Sequence, residues 1–132
     1  FADTKQEKIW KQNLDQDTGW PTDKPSIFID FKAQGLHPDG SVCDSEGFIW
    51  NAQYGASRLA RYSPEGWLDR VESFPASQVT CPAFGGKFFD TIFVTSASQG
   101  LDNEDLKVQP LAGKVFHFES DTVGLAEYQV KL

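Results

Sequence analysis

The sequence predicts an all-β protein, and two patterns carry that prediction. Helical periodicity is weak almost everywhere, whereas short alternating runs of β-branched and aromatic residues are separated by Gly and Pro turn signals. The turns Asp44-Ser45-Glu46-Gly47 and Ser63-Pro64-Glu65-Gly66 each place a glycine where a tight hairpin needs a positive φ. The candidate strands are residues 8–11, 26–31, 41–44, 48–51, 58–62, 67–71, 91–95 and 114–118.

A repeated pattern groups these strands. Lys8-Ile9-Trp10-Lys11, Arg58-Leu59-Ala60-Arg61 and Lys114-Val115-Phe116-His117 share the order cation, aliphatic, apolar, then cation or His. A second apolar strand lies upstream of each copy, and the period is about 40 to 55 residues. Such a period is typical of the four-stranded blades of a β-propeller.

The repeat predicts a partial propeller with nearly three blades in one domain. Residues 1–37 form an incomplete blade without its innermost strand, residues 38–75 a complete blade, and residues 76–132 a last blade. In the last blade, residues 127–130 are a candidate fourth strand, and residues 98–112 are an inserted loop or short helical turn with acidic residues at its N-terminal end. A closed ring needs at least four blades, so this chain cannot close one by itself.

Length and charge exclude several classes of protein. The chain has 132 residues with 19 acidic and 12 basic side chains, which gives a net charge of −7. One ordinary domain fits this length, and the acidic surface offers no basic patch for nucleic acid or an anionic membrane. No apolar run is long enough to cross a bilayer and no signal peptide is apparent at the start, so we expect a cytoplasmic protein.

Two features concern chain integrity and redox state. The sequence has no Met, and Phe1 already has the character of a mid-strand residue, which indicates a chain cut from something longer. Cys43 and Cys81 could pair, but without the composition of a small secreted protein they are expected to be reduced core residues.

Four stretches resemble a known family. They run in family order over most of the chain: Pro38-Asp39-Gly40 with the strand that leads to Trp50, then Ser63-Pro64-Glu65-Gly66, then Ala83-Phe84-Gly85-Gly86 with the following strand, and finally Pro110-Leu111-Ala112-Gly113 with Lys114-Val115-Phe116. The sequence is similar to regucalcin, gluconolactonase and related sugar-lactone hydrolases. These are six-bladed β-propellers that hold one divalent metal, calcium or zinc, in the central channel.

The resemblance gives Asp39 a role. In this family the Asp of Pro-Asp-Gly lies at the top of an innermost strand, binds the metal and acts in catalysis, and it matches Asp39 here. The other family ligands, a Glu and two Asn, lie upstream and have no match in this chain. From the residues alone, Asp39 could equally be a turn residue whose carboxylate caps a backbone N–H.

The resemblance also implies a mechanism and its limit. A divalent cation would polarise the carbonyl of a sugar lactone, while a carboxylate accepts a proton from the attacking water. Because calcium takes about six to eight oxygen ligands and zinc about four ligands, one carboxylate makes a weak site. We therefore expect the isolated chain to be inactive and to bind calcium or zinc weakly.

Other candidate motifs give weaker evidence for a functional site. Asp15-Gln16-Asp17-Thr18-Gly19 lacks the remaining ligands of a calcium loop and is expected to be a solvated turn, and Ser96 has no neighbouring triad. His37 could line the channel mouth but is more often a partly exposed loop residue, and His117 is expected to be structural. The tryptophans on candidate strands are expected in the core between blades rather than as a sugar-stacking platform: Trp10, Trp50 and Trp67.

The sequence thus predicts the C-terminal part of a divalent-metal-dependent sugar-lactone hydrolase. The alternative is a non-catalytic piece that binds a partner or completes an assembly. Two blade faces that neighbouring blades would cover are left open, lined by Trp10, Phe28, Phe93 and Phe116, so a homodimer of the fragment is expected.

Overall fold

The computed structural model describes residues 1–126 as three antiparallel sheets and one short helix, which confirms the all-β prediction. The first sheet contains β1 (Ala2–Asp3), β2 (Lys8–Lys11) and β3 (Ser26–Asp30) in that order. The second, four-stranded sheet contains β4 (His37–Cys43), β5 (Ile49–Tyr54), β6 (Arg58–Tyr62) and β7 (Leu68–Ser73). The third has the order β10-β9-β8, built from β8 (Val79–Gly85), β9 (Thr91–Ser96) and β10 (Val115–Glu119).

The helix α1 (Asn103–Val108) lies between β9 and β10, inside the segment expected to be an insertion. Asp102 caps its N-terminus by accepting hydrogen bonds from the backbone N–H groups of Glu104 and Asp105. Within residues 1–126 no helix has the length and apolar character needed to span a bilayer. The candidate strand at residues 127–130 lies outside the described residues.

The strands β4 and β8 differ most from the sequence expectation. β4 begins at His37, upstream of the predicted start at residue 41, and β8 lies outside the strands delimited from the sequence. Both are edge strands of their sheets, and both carry a proline and a shift in register. Proline is tolerated at sheet edges and bulges because it has no N–H to give to the ladder. Because a proline and a register shift interrupt the regular pattern of each strand, the sequence pattern does not predict the full extent of β4 and β8.

Two apolar clusters join the three sheets. The larger cluster lies between the second and third sheets: Trp50, Ala52, Leu59, Val79, Ile92 and Val94. The smaller cluster lies between the first and second sheets: Ile9, Phe31, Ala60 and Tyr62. Alternation along β9 buries Ile92 and Val94 and turns Phe93 outward, as the two-residue period of a strand requires.

Several burial expectations are wrong. Trp67 is 74% exposed because it lies in the turn that precedes β7, whereas Trp50 is fully buried as predicted. Phe116, expected on an open face, packs inward with its ring centroid 5.4 Å from that of Phe74. Cys43 and Cys81 are free and exposed rather than in the core.

Candidate functional site

Asp39 lies at a bulge in the edge strand β4. The pairing register with β5 passes from Pro38 opposite Gln53 to Ser41 opposite Asn51, so Asp39 and Gly40 together lie across from the single residue Ala52. A bulge of this kind bends the strand and redirects its side chains. At this bulge the Asp39 side chain is half-buried.

All three sheets meet at this bulge. From the first sheet's β1–β2 connection, the Thr4 hydroxyl donates a hydrogen bond of 2.8 Å to the carbonyl oxygen of Pro38. From the third sheet, Cys81 approaches Gly40 so closely that a Cβ on Gly40 would lie 2.8 Å from the Cys81 Cα. Any side chain larger than hydrogen at position 40 would therefore collide with the backbone of β8.

A buried amide holds the bulge from within the second sheet. Asn51 on β5 is fully buried, and its Nδ2 donates to the carbonyl oxygen of Asp39 at 3.0 Å and to the Ser41 hydroxyl at 3.0 Å. The carbonyl oxygen of Gly40 lies 3.4 Å from the same nitrogen. Asn51 was missed from the sequence, where the available signal was a polar residue between the apolar Trp50 and Ala52 of a predicted strand.

The electrostatics of Asp39 suit proton transfer. Partial burial raises the pKa of the Asp39 carboxyl above its ordinary value, and the backbone N–H of Gly40 opposes that shift in part. A carboxylate that is poorly solvated is a stronger base than an exposed one.

Asp44 follows the end of β4, and donors from the protein occupy both of its carboxylate oxygens. Its Oδ1 accepts from the backbone N–H groups of Glu46 and Phe48, and its Oδ2 accepts from Trp50 Nε1 and from Arg61. With both oxygens engaged by protein donors in a fully buried position, Asp44 has no free capacity for a ligand. Its role is structural.

The metal expectation can be tested on the residues present. Within residues 1–126, no three His, Cys, Asp or Glu side chains come together in a group that could hold a metal ion. Asp39 fits the part of a single oxygen ligand, and the described residues do not build a complete site around it.

The other sequence candidates lie apart from one another. His37 Nδ1 is 3.6 Å from Glu7 Oε1, and His117 is exposed, with its ring centroid 5.9 Å from that of Phe93. Asp15 closes an exposed turn by accepting from the backbone N–H and hydroxyl of Thr18, contacts that lower the pKa of its carboxyl. Ser96 donates its hydroxyl to the Lys114 carbonyl oxygen at 2.8 Å.

Comparison with known proteins identifies the family. The family model described as the SMP-30/gluconolactonase/LRE-like region matches residues 1–98. The chain belongs to this family. A calcium-binding protein, regucalcin, from Agrobacterium tumefaciens superposes with a TM-score of 0.94 at 37% identity, over 99% of this chain and 44% of that one. This likeness supports the partial propeller.

Two curated members of the family show the same partial coverage. A putative sugar lactone lactonase from Rhizobium meliloti is 36% identical over the whole of this chain and 45% of its own length. A 6-deoxy-6-sulfogluconolactonase from Pseudomonas putida is 34% identical over 96% of this chain and 43% of its own. The chain thus spans less than half the length of these relatives.

Proposed function

We propose that this chain is the C-terminal part of a divalent-metal-dependent sugar-lactone hydrolase and that Asp39 acts at its reacting centre. The observation that carries the proposal is the state of Asp39: a half-buried carboxylate on a bulged edge strand, with a pKa that burial raises and the Gly40 N–H lowers in part. Membership of a family whose relatives are named for lactone hydrolysis supports it.

The chemistry is the opening of a lactone by water. Asp39 accepts a proton as the water oxygen adds to the lactone carbonyl, and the bond from that carbon to the ring oxygen then breaks. The ring oxygen takes up a proton and leaves as a hydroxyl, which gives the hydroxy acid. A divalent cation, calcium or zinc, would supply Lewis-acid polarisation of the carbonyl when bound.

Ligands beyond Asp39 would come from residues outside this chain, which spans less than half the length of its relatives. On this proposal the isolated chain neither hydrolyses aldonolactones nor binds calcium or zinc tightly. The complete protein does both.

The test compares the 132-residue chain with the complete protein. Hydrolysis of several aldonolactones is followed by acid release with calcium, with zinc and with chelator, and metal binding is measured by calorimetry. Metal-dependent hydrolysis by the complete protein alone supports the proposal. Absence of hydrolysis by the complete protein favours a non-catalytic binding or assembly role, and a low-micromolar dissociation constant for the isolated chain would reveal a ligand set within it.

A further inference from the structure

We propose that Asn51 is a positioning residue for Asp39. Its side-chain amide holds the bulge of β4 in the backbone path that presents the Asp39 carboxylate to the reacting centre. This inference rests on the proposed function of Asp39, and it assigns to the reaction a residue whose side-chain amide donates hydrogen bonds to the backbone of the bulge and to Ser41.

The bulge creates the need for such a residue. Because Asp39 and Gly40 together face the single residue Ala52, their peptide groups cannot both take part in the regular cross-strand pairing with β5. Buried carbonyl groups that lose their ladder partner require another donor. Asn51, opposite Ser41 at the first paired position after the bulge, supplies that donor from its side chain.

The orientation of the amide is fixed by its surroundings. The Nδ2 faces two carbonyl oxygens and a hydroxyl, an arrangement that only the NH2 end of the amide satisfies. Its Oδ1 is buried and has no hydrogen-bond partner among residues 1–126. The unpaired Oδ1 disfavours folding, whereas the NH2 group supplies the donor that the Asp39 and Gly40 carbonyl groups need. The benefit of Asn51 is therefore the path of the Asp39-Gly40 backbone.

The two neighbouring sheets contact the same backbone segment. Thr4 holds the Pro38 carbonyl from one side, and Cys81 contacts Gly40 from the other. Without the Asn51 amide, the unpaired carbonyl groups of Asp39 and Gly40 would rotate toward other donors and carry the Asp39 side chain with them. A displacement of about 1 Å at a reacting group is enough to reduce turnover strongly.

The test uses Asn51→Leu in the complete protein, because leucine keeps the number and branching of heavy atoms but has no amide. The matched control is Leu59→Ala, which opens a cavity in the same sheet at a fully buried residue on β6. Three quantities are measured on each variant: hydrogen exchange of the peptide that spans residues 37–43, calcium binding by calorimetry, and kcat and KM for a lactone.

For Asn51→Leu we expect faster exchange in that peptide, calcium binding weakened about tenfold or more, and kcat reduced about tenfold or more with a smaller change in KM, as when a partner that orients a ligand is removed. Leu59→Ala should lower the melting temperature and leave these three quantities near wild type. Wild-type exchange, calcium binding and kcat in a folded Asn51→Leu protein would overturn the inference, as would equal losses in both variants.

If the proposed function is wrong, the three measurements give a different pattern. If the wild-type protein hydrolyses no lactone, exchange and calcium binding still decide whether Asn51 orients Asp39. If Asn51→Leu does not fold, Asn51→Ala takes its place with the same control and the same measurements, and unchanged exchange and calcium binding in that variant would overturn the inference.

Discussion

Arg61 and Asp44 form a buried ion pair that joins β6 to the turn between β4 and β5. Arg61 Nε and Nη2 lie 2.8 and 2.7 Å from Asp44 Oδ2, and Arg61 also reaches the carboxylates of Glu46 and Asp69 at 2.7 and 2.9 Å. The guanidinium lies over the Phe48 ring at 3.8 Å from its centroid. Three carboxylates stabilise the charged form of Arg61, which raises its pKa further above the physiological range.

Asp44→Ala is expected to be strongly destabilising. It leaves a buried guanidinium without its main partner and frees the N–H groups of the Asp44 turn, so the free energy of unfolding should fall by about 3–5 kcal/mol. Asp121→Ala removes an exposed partner of Arg70 and should cost much less than Asp44→Ala, because solvent screens an exposed pair. Urea unfolding of the three proteins measures both, and equal losses would contradict a dominant role for the buried pair.

Asp69 should make stability depend on pH. The hydrogen bond from Arg61 lowers the pKa of the Asp69 carboxyl below its ordinary value of about 3.9. Its contribution is therefore fully present above that ordinary pKa and is lost as pH falls through the lower, folded value.

The measurement compares wild type with Asp69→Asn. The difference in unfolding free energy should be largest at neutral pH and close on acidification below about pH 4. Asp17→Asn is the control, since Asp17 forms no ion pair in the part of the chain that the structure describes. A difference for Asp69→Asn that stays constant with pH would contradict the assignment.

Asp39 should make stability depend on pH in the direction opposite to that of Asp69. Burial raises the pKa of its carboxyl, so ionisation costs stability above the folded pKa and the penalty vanishes below the ordinary value of about 3.9. Metal-free Asp39→Asn should consequently have a higher melting temperature than wild type at pH 7 and the same melting temperature near pH 3.

In the complete protein, Asp39→Asn and Asp39→Ala should abolish hydrolysis while retaining the fold. Wild-type turnover in either folded variant would remove Asp39 from the mechanism.

Gly40→Ala tests the contact between β4 and β8, the edge strands of two sheets. The new Cβ would lie 2.6 Å from Cys81 Sγ and 2.8 Å from Cys81 Cα, and backbone crowding of this kind should cost about 1–3 kcal/mol. Adding Cys81→Ala removes the sulfur but not the Cα, so it should restore only part of the loss. Thermal melting of the single and double variants measures this, and full recovery in the double variant would mean that the backbones are not in contact.

The isolated chain is predicted to associate. On the open side of the third sheet Phe93 is 40% and Val115 62% exposed, and the first sheet leaves Phe1 67% exposed. Apolar surface of this kind normally signals association, and a two-fold dimer would cover both faces. Sedimentation equilibrium at micromolar concentration should give a mass above that of one chain. A monomer mass across the concentration range would show that a single chain covers these faces.

Local patterns determined the fold class and one site residue. Alternation in β9 and β10 and the glycine turns at Gly47 and Gly66 could be read directly, because a strand's side-chain period and a turn's φ depend on a few adjacent residues. Asp39 was singled out by its Pro-Asp-Gly motif and by resemblance to a family. Its half-burial and displacement by a bulge were not predictable from that motif.

Tertiary structure decided the rest. The Asn51 amide, the Arg61–Asp44 pair and the approach of Cys81 to Gly40 join residues that are 10 to 41 positions apart in sequence or lie on different sheets. A polar residue in a strand pattern is equally consistent with an exposed face and with a buried hydrogen-bonded position. Which one applies depends on where neighbouring sheets place their carbonyl groups and charges. Only the packed arrangement of three sheets fixes those positions, because each buried polar group is stabilised by partners that no local pattern specifies.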